Sequence, residues 1–99
     1  MRRPVRILRR AQSDLSEIRR YIERNRPDAA ERLVDRLIDA IEALERHPEL
    51  GVVPRDERLA ALGFRVRVEG EYLVFYKVRP KQVRIYRVLH GRRRYGRLV

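Results

Sequence analysis

Side chains able to move protons are scarce in this chain, whereas cations are abundant. There is no cysteine and no threonine, and Ser13 and Ser16 have no histidine near them in sequence. Thiol nucleophiles, disulfides and zinc-finger spacings are therefore excluded, and a serine nucleophile lacks an adjacent base. His47 and His90 are the only histidines. Neither stands in a two-histidine helical spacing or a carboxylate cluster, so no metal site is expected. The glycines are separate turn positions rather than a phosphate-binding loop, and no cofactor is implied. What remains is metal-free phosphodiester chemistry, which needs a base for a ribose hydroxyl, an acid for the leaving oxygen and cations for the phosphate. Arg65, Arg67 and the tail arginines Arg92, Arg93 and Arg94 are candidate cations through bidentate phosphate contacts. A guanidinium stays protonated and makes a poor base. The proton movers are thus His90, Tyr95 and Glu71. A lone histidine ending a strand is more often a hydrogen-bonded structural residue, and a tyrosine such as Tyr95 equally serves packing.

These residues fall in the C-terminal third, which reads as a three-stranded antiparallel meander. Phe64, Val66 and Val68 alternate with Arg65 and Arg67, the period of a half-buried strand. Glu69-Gly70-Glu71 supplies a turn. Tyr72 to Val78 is apolar or aromatic except at Lys77, as a strand covered on both faces would be. Arg79-Pro80-Lys81-Gln82 makes the next turn. Val83 to Leu89 forms the last strand, with Val83, Ile85 and Leu89 expected on one face and Tyr86 and Val88 on the other.

The first 63 residues supply the support. Val5 to Leu8 reads as a short edge strand. Ala11, Leu15, Ile18 and Ile22 lie on one helical face, and that helix begins uncapped near Arg9. Pro27 suits the first turn of a second helix. Its stripe of Ala30, Leu33, Val34, Leu37, Ile38, Ile41 and Leu44 must lie on something apolar. His47-Pro48 ends it, and Arg58 to Leu62 adds a short turn within the loop that follows. The two helices form an antiparallel hairpin laid on one face of the sheet. Leu73 and Phe75 are then expected on the open face beside Arg65 and Arg67. An apolar patch rimmed by arginines marks a binding site, unless the N-terminal strand, the long loop or the tail folds over it.

Length and charge narrow the class. Ninety-nine residues suffice for one domain with a modest core. Residues 64–99 hold 11 basic and 2 acidic residues and so contribute +9 of the chain's +11, an asymmetry that points to an anionic partner. No apolar run is long enough to span a bilayer, and the basic N-terminus lacks the apolar core of a secretion signal, so a cytoplasmic protein without a membrane partner is expected.

Four stretches, in order, resemble the RelE/ParE superfamily of bacterial toxins from type II toxin–antitoxin pairs, and the resemblance spans nearly the whole chain. They are Ala11-x-x-Asp14-Leu15-x-x-Ile18-x-x-Tyr21-Ile22, then His47-Pro48-Glu49-Leu50-Gly51, then Tyr72-Leu73-Val74-Phe75-Tyr76, then Arg87-Val88-Leu89-His90-Gly91-Arg92-Arg93. The resemblance implies a single small α+β domain over residues 1–99: an N-terminal strand, an antiparallel helical hairpin and a small antiparallel β-sheet joined by the first strand. It also implies a toxin of the plasmid-stabilisation type, neutralised in a hetero-oligomer by a cognate acidic antitoxin. RelE-like members cut messenger RNA on the ribosome with basic residues on the open sheet face, whereas ParE-like members poison DNA gyrase. Arg65 and Arg67 match the paired basic residues of the nucleases and Arg93 a tail arginine; with His90 they would be the catalytic set of a nuclease. Leu73, however, stands where those nucleases carry an arginine, and Tyr95 comes too early to match their late catalytic tyrosine. The Leu89-His90-Gly91-Arg92-Arg93 wording is nearer the ParE branch. The resemblance therefore implies a gyrase inhibitor with no catalytic residues, in which Arg65, Arg67, Leu73, Phe75, Arg92, Arg93 and Arg94 contact partner or target. The alternatives are a RelE-like ribosome-dependent endonuclease and a non-catalytic nucleic-acid-binding module.

Overall fold

A computed structural model describes residues 3–91 of the chain. Strand β1 (Val5–Ile7) leads into helix α1 (Arg9–Glu23), and helix α2 (Pro27–Glu42) returns antiparallel to it. A short helix α3 (Glu57–Ala61) precedes strands β2 (Arg65–Glu69), β3 (Tyr72–Val78) and β4 (Val83–His90). α1 begins at Arg9 with no side-chain cap, as its stripe predicts, although the Gln12 amide donates to the Ile7 carbonyl at 2.8 Å. Pro27 occupies the first turn of α2, where its missing N–H costs nothing. Past Glu42 the chain tightens into 3-10 turns at Ala43–Glu45 and Pro48–Leu50, so the regular helix ends before His47-Pro48 is reached. α3 starts because the Asp56 carboxylate accepts the Arg58 and Leu59 N–H groups at 2.9 and 3.1 Å. Gly70 takes a φ of +58° in the β2–β3 turn, a conformation that costs a side-chain-bearing residue steric strain.

The sheet order is β1-β4-β3-β2. β3 runs antiparallel to both of its neighbours, β2 and β4, as the meander predicts, and β1 joins the far edge parallel to β4. A parallel neighbour requires a crossover, and the helical hairpin provides one. Ala11 and Leu15 of α1, Leu37 and Ile41 of α2, and Leu44 beyond it pack on Val74, Tyr76, Val83, Ile85 and Val88. Ile18, Leu33 and Ile38 close the rim of this core.

The opposite face has a second, smaller core of Leu59, Phe64, Val66, Phe75 and Leu89, flanked by Leu73 and Tyr86. This corrects the expectation of an open apolar patch. Phe75 is only 4% exposed, because the connection after α2 brings Leu59 and Phe64 over it. β4 also departs from simple alternation. Phe75 pairs with Arg87 and Tyr76 with Ile85, so Tyr86 is an extra residue opposite the β3 step from Phe75 to Tyr76. Such a bulge shifts the alternation of everything after it. Val88 consequently joins Val83 and Ile85 under the helices, while Leu89 joins Tyr86 on the other side, the reverse of the expected assignment for these two residues.

Candidate functional site

Arg65 and Arg67 do not sit beside Leu73 and Phe75. In the β2–β3 register Arg65 faces Tyr76 and Arg67 faces Val74, both in the helix-side core, whereas Phe75 and Leu73 face Val66 and Val68. Direct cross-strand partners share a face, so the arginine pair and the apolar pair lie on opposite sides of the sheet. The arginines are engaged with carbonyls beneath the helical layer. Arg65 Nη2 donates to the Gly51 carbonyl at 2.6 Å and the Glu49 carbonyl at 3.3 Å, and Arg67 Nη1 donates to the Ala40 carbonyl at 2.7 Å. The Ala40 carbonyl belongs to the last turn of α2, where a cation meets the negative end of the helix dipole. The buried Arg65 Nε has no partner among the described residues.

Tyr76 completes this clamp. Its hydroxyl donates to the Pro48 carbonyl at 2.6 Å and accepts the Gly51 N–H at 2.8 Å. A Cβ at Gly51 would lie 2.5 Å from the hydroxyl oxygen, so only glycine fits there without displacing the ring or the loop. The His47-Pro48-Glu49-Leu50-Gly51 stretch is thus a segment shaped to dock on Tyr76.

The other two conspicuous motifs meet at an ion pair that was not expected from sequence. Asp14 is 6% and Arg87 8% exposed. The Asp14 carboxylate accepts from Arg87 Nε at 2.8 Å, Arg87 Nη2 at 2.9 Å and the Val88 N–H at 2.9 Å. Its hydrogen bond raises the Arg87 pKa above that of an ordinary guanidinium, against the opposing effect of burial. β1 stops at Ile7, so Asp14 does for the β4 edge at Val88 what a longer β1 would do. The available signal was an aspartate three residues after Ala11, within the apolar stripe of α1.

Beside this pair runs a groove between α1 and the ends of β3 and β4, lined by Ile18, Ile22, Tyr72, Val88 and His90, with Glu17 and Glu71 on its rim. Tyr21, 74% exposed, stands at its mouth. The groove continues past Tyr72 to the turn between the helices, where Arg24, Arg26 and Arg36 line it. Burial, with Glu71 and then Tyr21 adding to it, raises the Tyr72 pKa above 10.0. His90 lies 5.3 Å from the Tyr72 ring, edge to face, and its Nε2 is 3.5 Å from the Glu71 carboxylate. Arg92, Arg93, Arg94 and Tyr95 lie outside the described residues. No cluster of three or more metal-ligating side chains occurs among the described residues, and none of their helices is long and apolar enough to cross a membrane.

The family model for the ParE toxin of the type II toxin–antitoxin system parDE matches residues 5–95. The chain belongs to this toxin family. Its relatives carry both branch names. Toxin ParE1 of Caulobacter vibrioides is 38% identical over 89% of this chain and 88% of its own length. Toxin RelE3 of the same organism is 32% identical over 83% and 87%. Among solved structures, the chromosomal ParDE system of P. aeruginosa superposes with a TM-score of 0.75 at 19% identity, covering 89% of this chain and 95% of that one. The RelBE2 toxin–antitoxin complex of Mycobacterium tuberculosis gives 0.68 at 22%, covering 91% and 99%. At such identities these likenesses speak for the fold, which is the α+β arrangement of the RelE/ParE superfamily. For a member of the ParE toxin family, the positions of Arg65, Arg67 and Leu73 are what bear on its target.

Proposed function

We propose that this toxin acts by inhibiting DNA gyrase, without chemistry of its own, and that an acidic antitoxin neutralises it by covering the groove beside α1. The observation that carries the first part is that Arg65 and Arg67, the paired cations a nuclease would use, lie on the helix side of the sheet, away from Leu73 and Phe75. A nuclease needs base, acid and phosphate-binding cations converging on one phosphate. Here Arg65 and Arg67 are bonded to backbone carbonyls on the helix side, and the centre of the other face is apolar at Leu73, Phe75 and Leu89. His90 lies with Glu71 at the far end of β4. The family match and the Leu73 substitution lean the same way.

The antitoxin reading is supported by the shape and chemistry of the groove. Its apolar floor suits the stripe of an amphipathic segment, and Arg24, Arg26 and Arg36 offer counter-charges to an acidic one. Two structural neighbours are themselves toxin–antitoxin systems.

Expression in a sensitive host tests the target. Blocked supercoiling, accumulation of cleaved DNA–gyrase complexes and a DNA-damage response are expected, with messenger RNA remaining full length. Codon-periodic cleavage of messenger RNA with normal supercoiling would establish the endonuclease instead, and return Arg65, Arg67, Arg93 and His90 to candidacy as catalysts.

A further inference from the structure

Three cations stand side by side across the sheet on the face away from the helices. Arg84 of β4 is the register partner of both Arg6 on β1 and Lys77 on β3. Their chain neighbours Val5, Ile7, Val83, Ile85, Tyr76 and Val78 all pack in the helix-side core, so alternation turns the three cationic side chains the other way. Like charges directly opposite one another destabilise a strand pair, and here two such pairs adjoin. None of the three has an acidic partner among the described residues. The Lys77 ammonium instead lies 4.6 Å from the centre of the Phe64 ring and 5.1 Å from that of Tyr86. Sequence explains the imbalance: residues 1–13 and 72–99 contain no Asp or Glu, and β1, β3 and β4 come entirely from these stretches. Arg3, whose Nε reaches the Pro80 carbonyl at 3.4 Å, brings a further cation to the β3–β4 turn, which carries Arg79 and Lys81.

We propose that the row Arg6–Arg84–Lys77 is a docking site for the phosphodiester backbone of duplex DNA. Strands lie about 4.8 Å apart, so the row presents three cations over about 10 Å, two of them guanidinium groups that hold phosphate oxygens in pairs. Contacts of this kind position a duplex without reading its sequence. The aromatic rings argue against a single strand. Base stacking needs an open ring face, but Phe64 is 3% exposed, meets Tyr86 edge to face, and has Lys77 above it. The site goes beyond the gyrase assignment and does not depend on it.

The test is fluorescence anisotropy of the purified toxin with a short labelled DNA duplex, its single strand and the matching RNA duplex, at several salt concentrations. The decisive protein is the triple variant Arg6→Gln, Lys77→Gln and Arg84→Gln. A control of equal charge loss is Arg19→Gln, Arg20→Gln and Arg32→Gln on the exposed helix surfaces. The triple variant is expected to weaken duplex binding at least about tenfold and to reduce the slope of log affinity against log salt by about three, near 0.9 per lost phosphate contact. The control should leave a steeper slope than the triple variant. Arg6→Gln alone, on the exposed edge strand, should lower the slope by about one and covers the case in which the triple variant misfolds by circular dichroism. The proposal is overturned if row and control variants lose affinity alike, if the single strand or the RNA duplex binds more tightly than the DNA duplex, or if polyglutamate competes through the same three residues.

Discussion

Asp14 accepts three hydrogen bonds in a buried position, two from Arg87 and one from the Val88 backbone. A buried pair of this kind contributes little net stability compared with an apolar replacement, but losing one partner leaves the other charge uncompensated. Asp14→Ala is therefore expected to destabilise the fold by about 3–5 kcal/mol, and Asp14→Ala with Arg87→Met by clearly less; urea unfolding of the purified toxin measures both. Equal losses in the two variants would show that the charge itself is not what makes the pair matter. The Arg87 pKa is raised in the fold, so its stabilising share is complete below the ordinary guanidinium value, far into the alkaline range, and declines only as the pH rises beyond it. Across the neutral range this share is flat. His90 makes a different case. It is packed edge to face on Tyr72 and faces Glu71, and the role proposed for it is structural. Replacing His90 with Gln keeps a donor and an acceptor and should retain most toxicity in a growth assay. A loss of about a hundredfold with the fold intact, the size expected for a missing general base, would favour the nuclease.

At the scale of elements, β4 organises the molecule. It pairs with β3 along one edge, takes β1 along the first part of the other, and at its far end borders the groove. The bulge at Tyr86 decides which end residue serves which core, because it moves Leu89 to the loop side and Val88 under the helices. β1 covers β4 only from Val83 to Ile85. The end at His90, which β1 does not reach, and the neighbouring Ile18–Ile22 face of α1 form a surface suited to a docked segment. With the purified antitoxin bound, amide exchange is expected to slow at the His90 end of β4 and along the groove face of α1, while residues 83–85 stay as protected as before. Unchanged exchange along the groove would place the antitoxin elsewhere.

Over the whole molecule, charge is sorted by element rather than spread. α1 and α2 mix both signs, whereas β1 and the β3–β4 hairpin are built from stretches without an acid. A net charge of +11 on 99 residues draws the toxin toward polyanions from a distance, and only local geometry decides which polyanion is held. Arg84 and His90 lie toward opposite ends of β4, six residues or about 20 Å apart. The cationic row and the groove are accordingly different surfaces, so the gyrase, antitoxin and DNA experiments can fail independently of one another.

By itself the sequence determined what is local. The stripe of α2, the first-turn position of Pro27, the turn at Gly70 and the span of β3 from Tyr72 to Val78 all follow from periodicity or backbone restriction, which act over a few residues. The wording of four short stretches likewise sufficed for the family. Tertiary structure decided which side each strand residue faces. Arg65 and Arg67 alternate correctly in either orientation, and only the pairing of β2 with β3 places them under the helices. One extra residue at Tyr86 reverses the faces of Val88 and Leu89. Asp14 and Arg87 are 73 residues apart, and their meeting depends on the β1–β4 crossover rather than on anything near either residue. Faces and long-range pairs depend on register, and register is settled only when both cores pack at once.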